Sequence, residues 1–173
     1  METKLLIDDV ELNIGYELLE AIADRMGDSP DFAQVYHKLA QSKNPEVRYA
    51  ISYYDNLMPE TMELLLEDSE DKVIERLLNS SERIAKVPEE LLRNIILKRG
   101  STDILKAISS NFEYIDTENP VDFLKLVVKK SIDNYSILGD IADNWSCPKP
   151  ILKQLAKHSD PDISRKAKER LNS

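Results

Sequence analysis

An eight-residue unit returns along this chain at a period of roughly thirty residues. A sequence that repeats itself at this spacing can bury its apolar side chains only against its own neighbours. The unit is most regular at Ile104-Leu105-Lys106-Ala107-Ile108-Ser109-Ser110-Asn111. Counted from an aliphatic position 0, it carries apolar or small residues at 3, 4 and 5 and a polar residue at 7. Six frames fit, beginning at Leu18, Val47, Val73, Ile104, Ile137 and Ile163, at intervals of 29, 26, 31, 33 and 26 residues. Positions 0, 3, 4 and 7 come round to one face of a helix with 3.6 residues per turn. Each frame therefore predicts one amphipathic helix.

Proline predicts a partner for each of these helices. Pro30, Pro59, Pro88, Pro120 and Pro148 stand 12, 12, 15, 16 and 11 residues after position 0, and an apolar run follows each one. Proline is accepted at the first helical position, where its missing N–H would have had no partner. Pro45 and Pro161 suit the same position, and Pro150 competes with Pro148 for it. The unit is thus a pair of helices. The few aliphatic side chains of one pair do not offset the ordering entropy of its backbone, so neighbouring pairs must share faces in a one-dimensional array.

Asn44-Pro45-Glu46-Val47-Arg48 carries the most information of any pentapeptide. Asn44 caps a helix, Pro45 opens it, and Glu46 faces the positive end of its dipole. Asp160-Pro161-Asp162-Ile163 repeats the arrangement. A D/N-P-x-V-R motif followed by x-A-V-A-x-N resembles HEAT-type repeats, especially the short bacterial HEAT-like and variant leucine-rich repeats, over about residues 14 to 171. The resemblance implies an all-α fold, a right-handed α-α superhelix (a HEAT-like solenoid) of about six helix pairs, forming a single domain over residues 1–173. Variant leucine-rich repeat proteins can carry an N-terminal cysteine cluster. This chain has one cysteine, Cys147, so no iron–sulfur site carries over.

Residues 1–12, with Leu5, Leu6, Ile7 and Val10, are expected to form a first, irregular helix, and no sheet is expected anywhere. Asn13 then caps a helix running to about Met26, which Gly27 ends in a left-handed conformation. Gly139, inside a predicted helix, implies either a bend or the close approach of a neighbour. The last helix, with Ile163, Ala167 and Leu171 among many charged residues, reads as a polar cap.

The formal net charge is −9, which opposes general binding to a phosphate backbone and favours a basic partner. Charge is also uneven along the chain: residues 1–31 hold nine acids and two bases, and residues 149–173 three acids and seven bases. The single cysteine suits a reducing compartment. The opening METKLLIDDVEL has the pattern of neither a signal peptide nor a membrane anchor, so a cytoplasmic protein is expected.

No constellation of catalytic type stands out. His37 and His158 have no cysteine or second histidine at ligand spacing, so no metal and no cofactor are expected. Glu63, Glu67 and Glu70 read as a solvated acidic face. Nucleotide-binding and nucleophile-elbow motifs are missing from the sequence, and the chain is expected not to be an enzyme. Some HEAT-like proteins process DNA bases, and Trp145 with Asp140 and Asp143 supplies an aromatic and two acids. The candidate groove positions, however, are Arg48-Tyr49, Ile74-Glu75, Leu105-Lys106, Leu138-Gly139 and Ser164-Arg165, which make no basic stripe. Nucleic acid is therefore not the expected partner, and Trp145 is expected to pack at a repeat junction.

Tyrosine is concentrated in one frame. Tyr54 takes its capping position, while Tyr49 and Tyr53, four apart, point away from its core positions. By the resemblance, second helices line the concave side, which selects Arg48, Tyr49, Ser52, Tyr53, Glu75, Lys106, Ser109, Ser110 and Asp143 as a partner-binding surface of mixed charge with an aromatic anchor. The expectation is a non-enzymatic protein-binding scaffold. The alternatives are an acidic inhibitor or immunity-type protein with one basic partner, and a base-processing enzyme. If the register is right, Ile108→Asp puts a charge on the central apolar face and costs several kcal/mol. A thermal melt equal to that of the wild type would show the register to be wrong.

Overall fold

The computed structural model describes residues 3–7 and 10–173, and its first described stretches are extended. β1 (Thr3–Ile7) pairs antiparallel with β2 (Val10–Ile14) in the register Thr3↔Ile14 to Ile7↔Val10. This hairpin replaces the helix expected over residues 1–12, of which Met1, Glu2, Asp8 and Asp9 lie outside the described residues. The reason is legible in Val10-Glu11-Leu12-Asn13-Ile14, where apolar and polar residues alternate with the period of a strand. Asn13 belongs to this strand, and the N-cap position of α1 is Gly15.

Everything described after the hairpin is helical or connecting. The helices are α1 (Tyr16–Arg25), α2 (Ala33–Ala40), α3 (Pro45–Ile51), α4 (Pro59–Leu66), α5 (Asp71–Leu78), α6 (Ser81–Ile84), α7 (Glu89–Lys98), α8 (Thr102–Ser110), α9 (Pro120–Lys130), α10 (Tyr135–Asp143), α11 (Lys149–Leu155) and α12 (Pro161–Asn172). The six frames fall on α1, α3, α5, α8, α10 and α12, and the proline-led runs on α2, α4, α7, α9 and α11. Pro45, Pro59, Pro120 and Pro161 each occupy the first helical position. Pro88 and Pro148 stand one residue earlier, as N-caps. Asn44 accepts the amide of Glu46 at 3.0 Å, and Asp160 those of Asp162 and Ile163 at 3.0 and 3.1 Å.

The chain divides into two compact units, Met1–Leu77 and Leu78–Ser173. In the first unit α3 packs on α1 and α2, and α2 also packs on α4. The second has two rows: α9 packs on both α7 and α11, while α10 packs on α8 and α12. α7 and α9 run the same way. At their starts the Glu89 carboxylate accepts the amide of Glu118 at 3.3 Å, and Arg93 approaches Asp122 at 3.7 Å. At their ends Lys130 Nζ donates to the carbonyl of Leu97 at 3.3 Å.

Burial corrects the expected face. Position 0 is buried in every frame but the first, where Leu18 is exposed and Leu19 and Ala23 face inward. Position 4 is buried in the same five frames. Position 1 is also inward at Ile74, Leu105, Leu138 and Ser164, and position 5 at Ser52, Leu78, Ser109 and Ala142. The buried stripe is therefore 0, 1, 4, 5; position 6 is exposed in every frame, and positions 2 and 3 range from buried (Gly139, Ala50, Ala107) through half-buried (Tyr49, Arg76) to exposed (Lys106, Asp140). A residue covered from two sides, by its own pair and by the next, needs this wider apolar arc.

Tyr54 is a core residue, stacked on Tyr36 with ring centroids 4.7 Å apart. Its hydroxyl lies between the carbonyls of Ala23 and Met26, at 2.7 and 2.5 Å, and so closes the end of α1. Burial pushes its hydroxyl above the ordinary tyrosine value. Gly27 is not the left-handed stop; Gly100 is, at φ 52. Gly139 is buried beneath Lys166 of α12, whose Nζ lies 3.7 Å from where a β-carbon would stand. At 3.7 Å this is an ordinary contact with the tip of a flexible side chain, so neither the bend nor the close approach of a helix is required to explain this glycine.

A β-carbon at Gly100 would meet the Ile96 carbonyl oxygen at 2.7 Å, on top of the cost of a left-handed alanine of about 1–2 kcal/mol. Gly100→Ala should therefore lower the thermal midpoint of the protein by several degrees. A melting curve matching that of the wild type would contradict the turn geometry.

Candidate interaction surface

Tyr49 and Tyr53 occupy positions 2 and 6 of the Val47 frame, one turn apart. Between their rings lies a side chain the sequence reading did not select. The guanidinium carbon of Arg76, on α5, stands 4.2 Å from the Tyr49 ring centroid and 4.9 Å from that of Tyr53. Lys72, one turn earlier on α5, brings its ammonium within 5.5 Å of the Tyr49 ring and pairs with Glu46 of α3. Tyr53 is 60% exposed, whereas Tyr49 is half-buried. A guanidinium this near two aromatic rings is attracted to both, which favours the observed rotamers of the three side chains.

The signal for Arg76 was present in the repeat itself. Tyr49 is position 2 of the Val47 frame, and Arg76 is position 3 of the Val73 frame, one period on. Outward residues of successive frames are spatial neighbours once the frames are aligned.

The remaining selected residues separate by burial. Arg48 turns away from the surface: its Nε and Nη2 donate to the two carboxylate oxygens of Asp68 at 2.6 and 2.9 Å, and its Nη1 donates to the Ser42 carbonyl at 2.8 Å. Asp68, itself buried, also accepts the amide of Glu70 at 2.9 Å. Hydrogen bonding to Asp68 holds the guanidinium above its ordinary value. Arg48 thus ties α3 to the turn between α4 and α5. Ser52 and Ser109, at position 5, are buried and donate to the carbonyls of Tyr49 and Lys106, three residues back, at 2.8 and 3.0 Å. A hydroxyl that satisfies itself within its own helix suits a tight interhelix contact and is out of a partner's reach. Glu75 is half-buried on α5, while Lys106 and Ser110 on α8 and Asp143 on α10 are exposed. Asp143 lies 4.0 Å from Lys166.

Trp145 is the clearest correction. It does not pack at a junction but stands 78% exposed between α10 and α11. Arg170 of α12 lies over its ring at 3.6 Å and donates to its carbonyl at 3.2 Å. Asp140 and Asp143 are both exposed, so these residues form no enclosed pocket around a base. Nearby, Cys147 is buried, and burial pushes its thiol up to about 12, far from a reactive thiolate.

His37 shares hydrogen bonds with Thr61 and Gln41 at 2.9 and 3.0 Å, and His158 accepts the amide of Asp160 at 3.1 Å. Both act within the helix framework. Among the described residues no three His, Cys, Asp or Glu side chains converge on a metal position, and no helix is long and apolar enough to cross a membrane. An open cleft at the start of α7 is lined by Glu89, Glu90, Arg93, Asp116 and Glu118 among others. Glu89 there is bonded to Arg93 at 2.6 Å. No protein-family model and no curated protein matches the chain.

Removing Arg48 takes the counter-charge from a buried carboxylate. Arg48→Ala should cost about 2–4 kcal/mol, since breaking a buried pair leaves its partner charged and desolvated. Arg48→Lys should recover only part of this, because an ammonium cannot make the two-pronged bond. Urea denaturation midpoints read both, and a wild-type midpoint for the alanine variant would deny Arg48 its structural role.

Proposed function

We propose that this chain is a non-enzymatic protein-binding scaffold, and that a partner docks on the outward stripe of its frame helices, anchored by Tyr49, Tyr53 and Arg76. The observation that carries this reading is the sandwich of Arg76 between two tyrosine rings at the surface. Tyrosine and arginine dominate interface hot spots. A cluster whose rotamers are already favoured loses less side-chain entropy when a partner covers it, which raises the affinity obtained per contact. The proposal takes the helix pairs to stack in a HEAT-like array, which would present the same helix positions repeatedly along one side.

Acidity favours a second reading, in which the chain inhibits one basic partner. The unit Met1–Leu77 holds eighteen acids and seven bases, and the unit Leu78–Ser173 fourteen acids and sixteen bases. On α4 and at its C-cap, Glu60, Glu63 and Glu67 are exposed.

One titration separates the two readings. With the partner recovered by affinity capture from the native cell and measured by calorimetry, Tyr49→Ala combined with Tyr53→Ala should weaken binding at least about tenfold while the far-UV spectrum stays unchanged. Glu63→Ala with Glu67→Ala should bind as the wild type does. The reverse pattern would replace the scaffold by the acidic inhibitor.

A further inference from the structure

The second unit gathers exposed lysines at the ends of its first-row helices. α7 ends in Lys98, α9 ends in Lys129 and Lys130, and α11 has Lys153 in its last turn with Lys157 just beyond. These ends share one edge. Lys130 reaches the Leu97 carbonyl at the end of α7. The rings of Tyr135, just past α9, and His158, just past α11, meet edge-on with centroids 5.4 Å apart.

Basic residues at helix C-termini offset the macrodipole, and the bond from Lys130 to a terminal carbonyl is an instance of this. The dipole does not account for the apolar side chains among them. Leu97, Ile132 and Tyr135 are each 54% exposed on this same edge. Among the described residues, Lys98, Lys129, Lys153 and Lys157 carry no ion pair. The acids that follow these helix ends along the chain are Asp103 and Asp133, both exposed, and Asp160, whose carboxylate is engaged in capping α12.

We propose that this edge docks an acidic segment of a partner protein, with aliphatic residues between its acids, laid across the ends of α7, α9 and α11. The lysines select negative charge. The exposed aliphatics select a polypeptide over a nucleic acid, because a phosphate backbone places nothing on Leu97 and Ile132. The spacing suits a polyproline II chain: packed helices lie about 8–10 Å apart, and such a chain turns once every three residues while advancing about 3.1 Å per residue. An acid at every third residue therefore meets successive helix ends on one face, and the aliphatic residues between lie alongside the apolar side chains. Exposed ion pairs are individually weak, so several must act together, and binding falls as salt rises. The site is separate from the tyrosine cluster and does not depend on it.

The test is fluorescence polarisation of a labelled peptide of repeating Asp-Leu-Glu against the full chain. Saturable binding is expected, weakened by added sodium chloride. The combination Lys98→Glu, Lys129→Glu and Lys157→Glu should weaken it at least about tenfold, and Leu97→Ser with Ile132→Ser several-fold. Tyr49→Ala with Tyr53→Ala should leave it unchanged. Lys129→Ala with Lys153→Ala gives a milder second reading if the triple reversal disturbs the far-UV spectrum. Three outcomes overturn the proposal: no saturable binding, equal affinity in the charge-altered variants, or oligothymidylate of matching length binding as tightly as the peptide.

Discussion

A helix of seven to twelve residues does not hold itself together in water, because too few hydrogen bonds follow its costly nucleation. Nearly every helix here falls in that range. Each is therefore stable only while its neighbours cover it, and the side chains show how that cover is fastened. The carbonyls left open at one helix end are closed by a polar side chain one repeat later. Tyr54 serves Ala23 and Met26, Asn111 donates to the Leu78 carbonyl at 3.4 Å, and Lys130 serves Leu97. The separations of 31, 28, 33 and 33 residues are those of the repeat itself. Three chemically different residues do one task, which is why an alignment of residue types shows the repeat as worn where the geometry keeps it.

The helices were legible because their signal is periodic. An aliphatic residue at position 0 and an apolar or small one at 4 in every frame, with an apolar or small residue at 5 and a proline a dozen or so residues on in all but the last, placed the frames on helices. What escaped was of two kinds. The alternation of Val10-Glu11-Leu12-Asn13-Ile14 was plain, but a helical reading of the whole chain overrode it. The inward turn of position 1 was hidden because a helix seen alone has one apolar face, while a helix in a row is covered from two directions. Ser52 and Ser109 fell on the wrong side of that distinction. A buried serine that bonds its own helix has the same letter as one facing solvent.

Arg48 and Arg76 show the limit for charged residues. Both are half-buried, both belong to frame helices, and their roles differ because of what lies one repeat away. Asp68, in the turn after α4, draws Arg48 into a bidentate pair, whereas the rings of α3 hold Arg76 at the surface. The motif that carried the family resemblance ends in Arg48, and the structure gives that arginine a bond to the next repeat's turn. In the Asp160-Pro161-Asp162-Ile163 copy, Ser164 stands at the equivalent place and donates back to the Ala156 carbonyl at 2.8 Å, the counterpart of the bond from Arg48 to Ser42 and not of its tie to Asp68.

The chain has a single tryptophan, and its exposed position under Arg170 bears on how the molecule is observed. Indole emission from Trp145 reports solvent and the hold of α12, not the packing of the core. Unfolding of the first unit passes almost unseen in that signal. The stacked Tyr36–Tyr54 pair, buried and asymmetric, gives the first unit its own near-ultraviolet dichroism. A melt followed at both wavelengths thus watches each unit through a different chromophore, and the agreement or divergence of the two curves shows whether the units unfold together.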